Sequence, residues 1–193
     1  MTRRLFLLAS TISAAVDAGE WCAADGSEFP SSSWKLEDGC FRSIGGLKTF
    51  QDIRTKRIYG DFDFSFEWKM RKHGNSGVKY QIEKSDKWQP KGLDGFHIRA
   101  RGPEMQLADD DGPDAVLPNK QCGSLYGVTA PVEKAQVRIG EFNSARLVKR
   151  GLEIEHWING RKLLAYQLKS EKTSAISLQH HNCDVWFRNL EIR

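Results

Sequence analysis

Three absences narrow this 193-residue chain before any motif is sought. No segment sustains a 3.6-residue hydrophobic period, which excludes a helical bundle and any fold built on amphipathic helices. Beyond the first few residues no apolar run approaches the about 20 residues needed to cross a bilayer as a helix, so no integral membrane segment is expected in the mature chain. Lys and Arg form no cluster: a formal charge of +4 is spread among acids along the chain, which argues against nucleic acid as a partner. The four cysteines (Cys22, Cys40, Cys122, Cys183) lack Cys-x-x-Cys pairs and zinc-type spacing. Three disulfide pairings, or buried thiols, remain open. There is no internal repeat.

What is present begins at the N-terminus. Arg3 and Arg4 precede Leu5-Phe6-Leu7-Leu8-Ala9 and then small residues to Ala18. A charged start, a short apolar segment and a small-residue exit predict a secretory signal over residues 1–18, with a twin-arginine flavour. The mature protein is therefore expected to be exported, periplasmic or extracellular. Residues 19–33, with Asp25-Gly26 and Pro30-Ser31-Ser32-Ser33, read as an irregular lead-in.

From Trp34 the pattern is strands. Phe62, Phe64, Phe66, Trp68 and Met70 alternate with Asp63, Ser65, Glu67 and Lys69, a half-buried strand by period and by aromatic content. Asn75-Ser76-Gly77 reads as a turn into Val78, Tyr80 and Ile82, making a hairpin with the strand before it. Met105 and Leu107 alternate with Glu104 and Gln106. Strands meet at Arg150-Gly151, and Asn159-Gly160 predicts a type I′ turn into a strand at Lys162 to Leu168. In the last strand Val185 and Phe187 fall out of phase with Leu190 and Ile192, which predicts a bulge near Asn189. Residues 84–103 and 109–121 read as loops. Many short strands with turns between them imply an antiparallel sandwich of two sheets.

An ordered set of strings adds a resemblance: Gly74-Asn75-Ser76-Gly77-Val78-Lys79-Tyr80, Glu104-Met105-Gln106-Leu107-Ala108-Asp109, Gly123-Ser124-Leu125-Tyr126, His156-Trp157-Ile158-Asn159-Gly160, Leu178-Gln179-His180-His181 and Val185-Trp186-Phe187-Arg188-Asn189-Leu190. Over residues 34–193 the chain resembles the 3-keto-disaccharide hydrolase family. The resemblance implies an all-β, concanavalin-like jelly roll with a sugar site on its concave face, and cleavage of glycosides bearing a ketone at carbon 3. His180 and Asn182 depart from the Asp and Gly expected of the family, and its usual head segment is missing before Trp34.

Such cleavage needs a base for the proton on carbon 2, a group to stabilise the enolate, and an acid for the departing oxygen. Glu104 and Gln106 share a strand face about 6.6 Å apart, the polar outer one opposite Met105 and Leu107. Glu104 suits the base, and Gln106 a sugar hydroxyl. His181, in the family's Leu-Gln-x-His string beside Gln179, suits proton transfer. Glu67 and Lys79 stand on polar parities as substrate-binding candidates, and Asp109 directly follows the Glu104 strand. Tyr126 and Trp157 offer faces for stacking. No cofactor is required; the acidic run Asp109 to Asp114 is compatible with a divalent cation but lacks EF-hand spacing. The expected partner is a small carbohydrate. The competing readings are a lectin-like binding module without turnover, and a structural sandwich without a pocket.

Overall fold

The computed structural model describes residues 16–193. The segment read as an export signal lies, up to residue 15, outside the described residues. Strands follow in order: β1 (Trp21–Ala23), β2 (Trp34–Glu37), β3 (Cys40–Ser43), β4 (Phe50–Gln51) and β5 (Ile53–Thr55). Then come β6 (Phe62–Met70), β7 (Asn75–Lys79), β8 (Lys84–Trp88), β9 (His97–Arg101) and β10 (Glu104–Ala108). The series closes with β11 (Asn143–Arg150), β12 (Glu153–Ile158), β13 (Arg161–Gln167), β14 (Ser177–Leu178) and β15 (Val185–Ile192). Among the described residues the only helical pieces are three single 3₁₀ turns.

Two large antiparallel sheets form the sandwich. One has seven strands in the order β13-β12-β11-β6-β15-β3-β2; the other has five, β1-β5-β14-β7-β10. A small third sheet, β4-β9-β8, stands beside the five-stranded one. Between the large sheets lies the core. Phe62, Phe64, Phe66, Trp68 and Met70 of β6 fill it from one side, and Ile53, Val78, Met105, Leu107 and Leu178 from the other, all at most 2% exposed. Each such side chain contributes roughly 1.5–3 kcal/mol by leaving water. The all-β sandwich expected from the alternation is therefore the fold.

Several local expectations need correction. β6 and β7 do not form a hairpin: β6 pairs with β11 and β15 in one sheet, β7 with β10 and β14 in the other. Both strands send their apolar parity inward, so the turn between them arches over the core instead of folding the strands edge to edge. The stretch 84–103 is no plain loop, since β8 and β9 pair within it. The lead-in contributes β1, which pairs with β5 and buries Trp21 in the core. The four cysteines are all free. Elsewhere the local signals hold. Asn159 and Gly160 take φ of 48° and 77°, the two positive values a type I′ turn demands. The β6–β15 register slips between Arg188 and Glu191, and Asn189 sits there at φ 52°.

Candidate active site

The outward face of the five-stranded sheet is covered. It floors a cleft of about 690 Å³, within the range of small-molecule sites. Its walls come from the small sheet and from the segments around residues 123–128 and 166–172.

Strand register decides which side chains meet. Ser177 lies opposite Arg54 and Lys79, and Lys79 opposite Glu104; one pleat further on, Gln106 lies opposite Gly77. Side chains two apart on a strand share a face, so Lys79, Glu104, Gln106 and Gln179 converge on the cleft. Gly77 leaves the room that the Glu104 side chain occupies. A Cβ at that position would collide with the Glu104 carboxyl, which leans across the vacant place. Lys79 Nζ stands 3.8 Å from Glu104 Oε2, and Gln179 Nε2 donates to the same oxygen at 3.2 Å. The Gln106 amide lies between Asn75 and Glu104, and with its nitrogen turned toward Glu104 it donates to Glu104 Oε1 at 3.1 Å.

Behind this row sits Asp52, wholly buried. Its carboxylate accepts from Lys79 Nζ at 2.9 Å, His97 Nε2 at 2.8 Å, Ala100 N–H at 3.0 Å and His180 N–H at 2.9 Å. Burial opposes its charge, but the Lys79 ammonium and the His97 hydrogen bond prevail and hold it well below the usual carboxylate range. Glu104 shows the reverse. Burial, reinforced by Asp52, pushes its carboxyl up to about 7 against the pull of Lys79, Arg99 and Arg101. Two carboxylates flank one ammonium, one firmly ionised and one poised near neutrality, which is how acid–base sites separate their roles.

Of the residues singled out from the sequence, Glu104, Gln106, Lys79, Tyr126, Gln179 and His181 line this cleft. The face carrying Glu104 and Gln106 is thus not a solvated outer surface: both residues are at most 9% exposed. His181 sits at the rim, its side chain 43% exposed and Nδ1 3.9 Å from Asp114. Burial lowers its pKa, with His97 and Lys79 adding to the effect and Asp114 resisting it. Three candidates lie elsewhere. Glu67 is on β6 in the seven-stranded sheet, facing away from the cleft and paired with Arg188 at 2.6 Å. Asp109 accepts from the N–H groups of His73 and Asp111 at 2.7 and 3.1 Å, holding the turn after β10. Trp157 belongs to the outer face of β12, beside Glu155. Asp110 of the acidic run accepts from Cys122 N–H and Asp114 from the Asn75 amide. Among the described residues no group of three or more His, Cys, Asp or Glu is arranged to hold a metal.

This geometry joins the comparisons with known proteins. The model of the 3-keto-alpha-glucoside-1,2-lyase-like domain matches residues 13–193. The chain belongs to that family. It is also 29% identical to a 3-keto-disaccharide hydrolase of Bacteroides thetaiotaomicron, over 84% of this chain and 70% of that one. A crystal structure of a candidate glycosyl hydrolase from Parabacteroides distasonis superposes with a TM-score of 0.75 at 26% identity, covering 92% of this chain and 90% of that one. The carbohydrate-binding module CBM66 of Bacillus subtilis has a TM-score of 0.54 at 10% identity, covering 90% of this chain and 95% of that chain, a likeness of fold alone. The family places the chain among carbohydrate-active hydrolases.

Sequence reasoning missed Asp52, His97, Arg99 and Trp88. His97, Arg99 and Trp88 line the cleft from β8 and β9, inside the stretch read as a loop. β8 carries no apolar period, whereas β9 does alternate Ile98 and Ala100 with His97, Arg99 and Arg101, a short signal that the loop reading passed over. Asp52 stands between Gln51 and Ile53, and only its position behind Lys79 distinguishes it from a solvated strand-end carboxylate.

Proposed function

We propose that this chain cleaves glycosides whose sugar ring carries a ketone at carbon 3, by elimination followed by addition of water. The single observation that carries the reading is Glu104: a buried carboxyl facing the cleft, poised near 7, and 3.8 Å from a lysine ammonium. A base that must take a carbon-bound proton near neutral pH works best with a pKa of that order.

The ketone acidifies the proton on carbon 2. Glu104 as carboxylate removes it; the freed pair forms the double bond between carbons 1 and 2 and expels the glycosidic oxygen. Lys79, held by Asp52, faces the oxygen on which enolate charge develops. His181, at the rim with Nδ1 3.9 Å from Asp114, hydrogen-bonds the departing oxygen through a ring N–H while solvent supplies the proton that oxygen takes up, and Gln106 and Gln179 orient ring hydroxyls. Trp88 and Tyr126, both about 40% exposed at the cleft, supply apolar faces for the sugar rings. Water then adds to carbon 1, so that the sum is hydrolysis. The cleft needs no cofactor for this chemistry. Export across the inner membrane belongs to the same proposal and rests on the N-terminal segment; finding the chain only in the cytoplasm after cell fractionation overturns that part.

The test is aglycone release from a 3-keto glucoside by the purified protein. Wild type should turn over, with kcat/KM rising tenfold per pH unit up to about 7 as Glu104 ionises. Glu104→Gln should lose about 10³-fold of the rate and His181→Ala about 10²-fold. Saturable binding of the same sugar without release would leave a lectin-like module instead.

A further inference from the structure

The elimination leaves a problem that Glu104 does not solve. Once it has taken the carbon-2 proton it is a carboxylic acid, and the water that must add to carbon 1 needs another base. Resting on the proposed elimination, we propose that His97 is a further catalytic residue, the base that activates this water, and that Asp52 is the positioning residue that fixes its ring.

The imidazole is locked. One face of the His97 ring stacks on Phe50, centroids 4.7 Å apart, and Phe50 in turn stacks on His180 at 4.8 Å. Nε2 lies 2.8 Å from Asp52 Oδ1. An ionised carboxylate only accepts, so Nε2 is the nitrogen that carries the proton, and in the neutral ring the lone pair falls on Nδ1. Asp52 has no freedom to arrange itself otherwise, since each of its oxygens already accepts two hydrogen bonds. Nδ1 has no hydrogen-bond partner among the described residues. The fully buried polar atoms without a partner include Gln179 Oε1 and Ser124 Oγ but not His97 Nδ1, so this nitrogen opens into the cleft that the ring lines. A carboxylate orienting an imidazole whose second nitrogen faces the reactants is the arrangement by which acyl-transfer triads set a general base.

The step balances without any added reagent. Water's O–H bond breaks and its proton goes to Nδ1 of His97. The oxygen bonds to carbon 1, and the double-bond pair moves to give the enolate. Glu104 then returns its proton to carbon 2. His97 loses its proton to solvent, replacing the one taken up by the departed oxygen.

The experiment follows two signals: release of a chromogenic aglycone, and ultraviolet absorption of the conjugated unsaturated ketone, both formed from a 3-keto glucoside and with the ketone supplied directly. His97→Gln should slow hydration about a hundredfold more than it slows release, so the unsaturated ketone accumulates. Asp52→Asn should also accumulate it, to a smaller extent, and should move the acidic limb of release to lower pH by removing the negative charge behind Glu104. A merely structural role for either residue would slow both steps together, with no build-up of the unsaturated ketone, and that result overturns the proposal. His97→Asn, a second variant without the ring, must show the same imbalance if His97→Gln lacks a cooperative melting transition. Release by wild type with no accumulation in either folded His97 variant sinks this inference alone. No release by wild type sinks the elimination as well.

Discussion

Glu67 and Glu104 occupy the same kind of position: each stands on the polar parity of a strand whose other parity feeds the core. Their surroundings separate them. Glu67 faces water from the seven-stranded sheet, its side chain 34% exposed beside an Arg188 that is 37% exposed. Glu104 is walled in by the small sheet and neighbouring loops, its side chain 10% exposed against a Lys79 that is 5% exposed. An exposed pair is screened and worth little. An enclosed one shifts ionisation and can do chemistry. The lesson is that period-two alternation assigns a residue to a face, while the cover over that face assigns its chemistry.

Four measurements can break or sharpen this contrast. The largest effect belongs to Glu104→Gln, for which a loss of about 10³-fold in aglycone release corresponds to roughly 4 kcal/mol of barrier. A residual rate within tenfold of wild type would remove Glu104 from the mechanism. Next is Lys79→Met, which takes the ammonium from between two buried carboxyls. Stranding the Asp52 charge should cost about 3–5 kcal/mol of stability in denaturant titration; a loss below 1 kcal/mol would mean that water reaches Asp52 freely.

The third is pH-dependent. A carboxyl that titrates at an ordinary 4.5 when unfolded and at about 7 when folded favours the folded state fully below pH 4.5. That contribution, on the order of 3 kcal/mol, is lost as pH rises to about 7. Glu104→Gln should abolish this slope, and above pH 7 the variant should be the more stable protein. Asp52 runs the other way: with its pKa lowered by folding, its contribution is present above pH 3.8 and is lost as pH falls below it. The two windows do not overlap, so acid and neutral titrations read them separately. Smallest is Glu67→Gln, expected to change stability by less than about 1 kcal/mol and to leave release unaltered. A large loss of activity in this variant would place a second functional surface on the seven-stranded sheet.

Much of the architecture was legible. Alternation in β6 and β10, the Asn159-Gly160 turn and the phase break at Asn189 are local signals, each set by one or two dihedral angles or by side-chain parity. The hairpin between β6 and β7 was misread for a definite reason: a turn joining two strands of one sheet and an arch joining two sheets need the same residue types. Lys79, Glu104, Gln106 and Gln179 were legible as candidates because they fall in an ordered set of strings. Glu67 and Asp109 look the same on paper, and the chain alone does not say which polar faces are covered.

By itself, then, the sequence determined an all-β sandwich, the parity of its strands and a short set of polar residues fit for sugar chemistry, because these depend on neighbours one to four positions away. Only the tertiary structure decided that Asp52, His97, Lys79 and Glu104 share one buried network. Asp52 and Glu104 are 52 positions apart in the chain. Their ionisation depends on cross-strand register and on the small sheet that shuts out water, both of which exist only after the chain has folded.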